Sequence, residues 1–175
     1  MRLDKEVGVA GTAIFQGYAL QLVDDKGRVA IPAALRSTLF ARMPGGMDPK
    51  EAMQVVVGLH ESERCLIAFD PGQSVSRFNE LEARAIAQAG PDGAPRHDII
   101  RAGMAVETLP YDASGRFILP GFPRKRARIN RYAFFFGLGR HFEIWDPATL
   151  VESDHVSADM KEAVAYFLEE RGETL

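Results

Sequence analysis

Asp24-Asp25-Lys26-Gly27-Arg28-Val29-Ala30-Ile31-Pro32 returns 88 residues later as Asp112-Ala113-Ser114-Gly115-Arg116-Phe117-Ile118-Leu119-Pro120. Both stretches read Asp-x-x-Gly-Arg, then three apolar residues, then Pro. A repeat of this kind constrains the fold and places any functional surface twice. The likeness continues downstream. Val55-Val56-Val57-Gly58-Leu59 answers Phe134-Phe135-Phe136-Gly137-Leu138. Arg64-Cys65-Leu66-Ile67-Ala68-Phe69-Asp70-Pro71 answers Arg140-His141-Phe142-Glu143-Ile144-Trp145-Asp146-Pro147. From Pro32 to Gly58 is 26 residues and from Pro120 to Gly137 is 17. The first copy therefore carries an insertion, placed at Met43-Pro44-Gly45-Gly46-Met47-Asp48-Pro49, and its second hairpin is longer too. Insertions in Gly/Pro-rich or polar segments are loop variation on a common core.

Each copy is read as hairpin, short helix, hairpin, helix. Apolar residues ending in Leu22-Val23 lead into the Asp24–Gly27 turn and Val29-Ala30-Ile31 leads out, with Gly supplying a positive φ. Pro32 cannot donate to a ladder and ends the strand, and Ala33 to Ala41 follows as a helix. Val55–Leu59 and Leu66–Phe69 form a second hairpin through Glu61-Ser62-Glu63. Asp70-Pro71 and Asp146-Pro147 each open a helix, an Asp preceding Pro at the first helical position. Between the copies, Val75, Phe78, Leu81, Glu82, Ala85 and Ile86 follow helical spacing up to Gly90-Pro91-Asp92-Gly93. Ile99 to Met104 gives another helix. Ala158 to Arg171 carries an amphipathic face through Met160, Val164, Tyr166, Phe167 and Leu168.

Composition is that of a soluble globule, 46% hydrophobic and 26% charged over 175 residues. No apolar run approaches the roughly 20 residues that span a bilayer. The first six residues lack the layout of a signal peptide, and a single cysteine, Cys65, forbids an internal disulfide. A cytoplasmic location is expected. The net charge is −3, yet its distribution is uneven. Arg116 to Arg131 holds six basic residues and no acidic one, while Glu143 to Leu175 holds nine acidic and two basic. Screening over roughly 8–10 Å makes the local field, not the total, decide contact with a polyanion.

With both Asp-x-x-x-Arg pairs intact (Asp24 with Arg28, Asp112 with Arg116), and with Phe15-Gln16-Gly17-Tyr18 and His141-Phe142-Glu143-Ile144-Trp145-Asp146 around them, the chain resembles the MraZ family. That family is a bacterial relative of the AbrB-type swapped-hairpin DNA-binding proteins. The similarity runs from about residue 14 to 150. It implies a mainly β fold with α, a duplicated swapped-hairpin (AbrB-like) β-barrel with peripheral helices. The layout would be a first repeat at 14–72, a helical linker at 73–105, a second repeat at 106–150 and a C-terminal helix at 151–175. It further implies a ring-shaped homo-oligomer, associated with the nucleoid. The expected function is sequence-specific regulation of the bacterial division and cell-wall gene cluster, through repeated promoter boxes on double-stranded DNA. An rRNA methyltransferase is a possible partner on the same grounds. The chain departs from the family at Gly121-Phe122-Pro123, where a late helix start is expected, in its longer first insertion, and at residues 8–12, read as a flexible extension.

Arg28 and Arg116 are the leading candidates for DNA contact. An arginine on a hairpin can fork two N–H donors onto guanine O6 and N7 in the major groove or clamp a phosphate. The plainer reading is that each Arg pairs with its own Asp to stiffen the turn. The two are compatible, with Asp24 and Asp112 in a supporting role. Lys26 adds a phosphate contact that Ser114 matches only without charge. Arg124, Lys125 and Arg126, with Arg128, either track the backbone or form a solvated helix face; Arg36 and Arg42 rank lower. Trp145 and Phe134-Phe135-Phe136 read as core or subunit contacts. His60, His97, His141 and His155 show no metal-ligand spacing, so no metal and no cofactor is expected. No nucleophile elbow, phosphate loop or His–Cys dyad is present, so no enzyme is expected. The rival to a DNA-binding regulator is a protein-interaction module, antitoxin-like or acting on such a methyltransferase through the acidic C-terminal segment.

Overall fold

Each Asp-x-x-Gly-Arg motif makes a tight turn, but the strands on its two sides do not pair with each other. The computed structural model describes residues 13–175; the readings made of residues 1–6 and 8–12 lie outside the described residues. The first copy supplies β1 (Tyr18–Leu22), β2 (Arg28–Ala30), α1 (Ala33–Ala41), α2 (Pro49–Ala52), β3 (Gln54–Leu59) and β4 (Leu66–Phe69). A 3-10 turn (Pro71–Gln73) leads into α3 (Ser74–Ala87), followed by α4 (His97–Gly103). The second copy supplies β5 (Val106–Pro110), β6 (Arg116–Ile118), α5 (Gly121–Arg126), β7 (Tyr132–Gly137) and β8 (Phe142–Trp145). Then come α6 (Pro147–Glu152) and α7 (Ala158–Glu169).

The expected hairpin within each copy is replaced by exchange between copies. β1 pairs with β7 and β5 with β3, β2 pairs with β6, and β4 with β8, all antiparallel. Only β3–β4 and β7–β8 stay within a copy. The result is a six-stranded sheet in the order β1-β7-β8-β4-β3-β5 and a separate ribbon, β2-β6. That order reads the same from either end when the copies are interchanged, which is a pseudo-two-fold axis between β8 and β4. The exchange satisfies the same apolar pattern as a local hairpin, so alternation alone does not distinguish them.

Three expectations are corrected here. The chain is mixed α/β rather than mainly β, since helices take up more of the described residues than strands. The six-stranded sheet is open, with β1 and β5 as its edges, and no closed barrel forms among the described residues. α5 also starts at Gly121, without delay. Pro123 falls in its first turn, where a missing N–H costs no helical bond. The short α2 was not foreseen; Asp48 caps it, accepting from Lys50 N at 2.8 Å ahead of Pro49.

Both faces of the sheet's centre are covered, which is why β3, β4, β7 and β8 are largely apolar runs rather than alternating ones, while the edge strands β1 and β5 are mostly unburied. On one face Val55, Val57, Phe135, Phe142 and Ile144 meet the ribbon's inner residues Val29 and Phe117, with Ile31, Leu35, Leu119 and Ile129 beside them. On the other, Leu20, Phe134 and Trp145 pack with Leu150, Val164 and Leu168 of α6 and α7. Trp145 and the phenylalanine run are core residues, as read from the sequence. Buried Glu143 accepts from Trp145 Nε1 at 2.7 Å, and burial pushes its carboxyl up.

Gly58 and Gly137, matched in the repeat, let the two copies cross. A Cβ on Gly58 would lie 2.2 Å from Ala105 O, and one on Gly137 would lie 2.6 Å from Gln16 N. These neighbours are backbone at the entrance of β5 and β1, and cannot swing aside. Gly58→Ala and Gly137→Ala should each cost about 1–3 kcal/mol through overpacking. Thermal denaturation checks this, and a variant melting with wild type would show that the strand entrances are not held at that spacing.

Candidate nucleic-acid interface

The ribbon carries the motif arginines. Register pairs Arg28 with Ile118, Val29 with Phe117 and Ala30 with Arg116. Period-two alternation sends Val29 and Phe117 inward and leaves Arg28, Ala30, Arg116 and Ile118 on the outer face. Arg28 and Arg116 are diagonal neighbours there, a placement that sets residues about 7–8 Å apart, with their Cβ atoms somewhat closer. Their side chains are 54% and 64% exposed. Together with Asp112, Phe117 and Ile118 they line one shallow depression.

Each turn is built the same way. Gly27 N donates to Asp24 O at 2.9 Å and Asp24 N to Arg28 O at 3.0 Å; the second turn repeats this with 2.8 and 2.9 Å. Gly27 and Gly115 take φ of +81° and +80°, a region other residues resist. Asp24 Oδ1 accepts from Lys26 N (2.9 Å) and Arg28 N (2.8 Å), and its Oδ2 from Arg28 Nε (2.6 Å). Asp112 does likewise for Ser114 N (2.9 Å), Arg116 N (2.9 Å) and Arg116 Nε (3.0 Å). The turns are also tied across copies: Leu119 N donates to Gly27 O and Ile31 N to Gly115 O, both at 2.9 Å.

The carboxylate grips each guanidinium through Nε alone. Among the described residues neither terminal nitrogen of Arg28 or Arg116 has a hydrogen-bond partner. The Asp pairing and an outward-facing arginine fork therefore coexist, which joins the two readings made of these residues.

The other predicted residues divide. Lys26 is exposed in the first turn. Arg124 reaches that turn too, yet its Nε donates to Ile129 O (3.0 Å) and its Nη2 to Asn130 O (3.2 Å). Lys125 is exposed on α5. Arg126 borders a different hollow, with Leu59, His60, Glu63, Arg64, Cys65 and Ala127, so it does not join Arg28 and Arg116 in their depression. Arg36, ranked lower in the sequence reading, lies against Gly115. The available signal was spacing: each motif arginine is followed eight residues later by another, Arg36 after Arg28 and Arg124 after Arg116. Three of the histidines take structural places, and His97 is exposed. His60 Nδ1 accepts from Ser62 N and Glu63 N, His155 pairs with Glu63, and burial lowers His141 to about 4. No group of His, Cys, Asp or Glu among the described residues has the arrangement of a metal site.

No protein-family model matches the chain. It is similar to curated proteins named transcriptional regulator MraZ. One from a Ruegeria species is 30% identical over 147 residues, covering 83% of this chain and 84% of the relative. Another, from Saccharophagus degradans, is 32% identical over 132 residues, covering 75% and 82%. The chain belongs to the MraZ family. A third MraZ, from Gluconacetobacter diazotrophicus, is 30% identical over 138 residues, covering 78% of this chain and 80% of its own length. Membership makes this chain a transcriptional regulator by kinship. No helix among the described residues is long and apolar enough to cross a membrane.

Both carboxyls are held below their ordinary 3.8, chiefly by the backbone N–H of Arg28 on Asp24 and of Arg116 on Asp112. A lowered folded value means that the turn gains from ionisation above 3.8 and loses that gain as pH falls through the lowered value. An NMR titration should place both midpoints under 3.8, with the Lys26, Arg28, Ser114 and Arg116 amides losing protection as each is passed. Midpoints at or above 3.8 would mean that the carboxylates do not organise the turns.

Proposed function

We propose that the β2–β6 ribbon is a DNA-reading element and that the protein regulates transcription by presenting it to the major groove. The observation that carries this is the Nε-only grip on Arg28 and Arg116. Each guanidinium is oriented by its aspartate while its terminal fork stays exposed. Such a fork suits guanine O6 and N7. The diagonal spacing of about 7–8 Å is close to two base steps of about 3.4 Å each. A two-stranded ribbon fits a major groove about 12 Å wide. Lys26 and exposed Lys125 add phosphate contacts, and the Asp residues act as orienters.

The finer reading follows the family resemblance. The exchange of strands is the swapped-hairpin arrangement, with repeats at 14–72 and 106–150, a helical linker at 73–105 and a terminal helix at 151–175. Copies assemble into a ring that displays several ribbons along one rim. Weak single contacts then sum on tandem boxes at the promoter of a division and cell-wall gene cluster, since each bound ribbon raises the effective concentration of the next. A location in the cytoplasm, at the nucleoid, goes with that role. A second reading, a protein contact with a basic partner such as an rRNA methyltransferase, has one feature in its favour: Asp159, Glu162, Glu169 and Glu170 lie exposed on and just beyond α7.

A gel shift on the promoter upstream of the chain's own gene tests the reading. Wild type should bind tandem boxes far better than one. Arg28→Ala/Arg116→Ala should lose tenfold or more, at about 1–3 kcal/mol per lost base contact. No shift by wild type, with a pull-down of a basic partner that survives the double substitution, would favour the protein-contact reading.

A further inference from the structure

Arg36 and Arg124 hold the same place in the two copies. Each stands four residues past its motif proline, on the helix that follows the ribbon strand. Each reaches across to the other copy's turn. Arg124 Nη1 lies 2.7 Å from where a Cβ on Gly27 would sit, and Arg36 Nη1 lies 3.0 Å from the same point on Gly115.

There the equivalence ends. α5 stops at Arg126, and the chain doubles back through Arg128 at φ 59°. The return brings the Ile129 and Asn130 carbonyls onto Arg124, which spends its Nε and Nη2 on them. α1 instead runs on to Ala41 and carries the corresponding carbonyls away from Arg36. Arg36 is half-exposed, and its side chain makes no hydrogen bond or ion pair among the described residues. The groove it borders is lined by Ser37, Phe40, Met53, Tyr111 and Ala113, with no acidic residue to neutralise it.

The turns differ in the opposite sense. The first holds exposed Lys26, where the second has Ser114. The first turn thus has Arg28, held by Asp24 through Nε alone, and Lys26 without an ion-pair partner among the described residues, with Arg124 locked beside them. The second has Arg116 from its own motif and Arg36, unlocked, behind its glycine.

We infer that Arg36 is a DNA-phosphate contact for the second turn, standing in for the lysine that turn lacks, so that Lys26 and Arg36 are functional counterparts drawn from non-equivalent positions. This rests on the ribbon binding DNA. Arg36 sits behind the turn rather than on the ribbon's outer face, which suits a backbone contact and not base reading. Each end of the ribbon then brings two cations that are free to meet the duplex, although they come from non-equivalent positions.

The test is the salt dependence of affinity for the promoter duplex and for an unrelated duplex of equal length. Each phosphate contact contributes about 0.9 to the slope of log K against log salt. Arg36→Gln should lower the slope as much as Lys26→Ala does, on both duplexes alike, and the double variant should lose the sum. Arg36→Lys, which keeps the charge but not the guanidinium packing on Gly115, should keep the slope. Arg124→Gln should keep the slope and lower the melting temperature. A wild-type slope in Arg36→Gln overturns the inference while leaving the ribbon reading intact, provided that Arg28→Ala/Arg116→Ala weakens binding in the same assay. So does an equal loss in Arg36→Gln and Arg36→Lys, which would make the role one of packing. If wild type binds neither duplex, the ribbon reading fails and this inference with it.

Discussion

Two backbone hydrogen bonds, Leu119 N–H to Gly27 O and Ile31 N–H to Gly115 O, bind each motif turn to the strand of the other copy. They extend a ladder of only three residue pairs to the turn glycines at both ends. A ribbon that short has little hold of its own, since an isolated hairpin is marginal in water. Its inner residues, Val29 and Phe117, add burial against the sheet, and the cross-copy bonds fix the register. From that register follow the outward placement of Arg28 and Arg116 and the closeness of Arg36 and Arg124 to the opposite glycines. Slippage by one residue would bury the arginines and expose Val29 and Phe117.

The aspartates answer a problem of entropy more than of energy. An exposed arginine samples many rotamers, and freezing it on binding costs roughly 2 kcal/mol. A carboxylate that accepts from Nε removes much of that freedom in advance. The same carboxylate oxygens accept three N–H groups within one turn, so its charge is largely directed at the turn. This is how an acidic chain places outward-facing cations without surrounding them with net negative field.

Much of this was legible. Local signals are short in range and survive in a sequence: the Asp-Pro helix openings at Asp70 and Asp146, the β3–β4 hairpin, α1 over Ala33–Ala41 and the glycine of each motif turn. Strand partnership was not legible in the same way. Leu22-Val23 and Val29-Ala30-Ile31 are equally apolar whether they pair with each other or with Tyr132 and Phe117, and the choice lies in contacts more than 80 residues apart. The share of helix was underestimated because the mainly β expectation came from the resemblance, whereas the chain's own helical spacing over α3 and α7 already pointed to more helix. The commitment of Arg124 was hidden because it depends on Arg128 adopting a positive φ without being glycine, a conformation that the sequence does not mark.

The pairing of β1 with β7 links Leu22 to Tyr132, across 110 residues of chain. During synthesis at about 5–20 residues per second, the first strand exists for roughly 5–20 s before its partner is made. Until the second copy is made, each strand of the first lacks a partner that it has in the fold, β7 for β1, β6 for β2, β5 for β3 and β8 for β4, so the nascent first copy offers unsatisfied ladder edges. The second copy supplies the missing partners in chain order, β5 and β6 first and β7 and β8 last. The duplicated chain therefore reaches its native form late, through pairings that neither half can make alone.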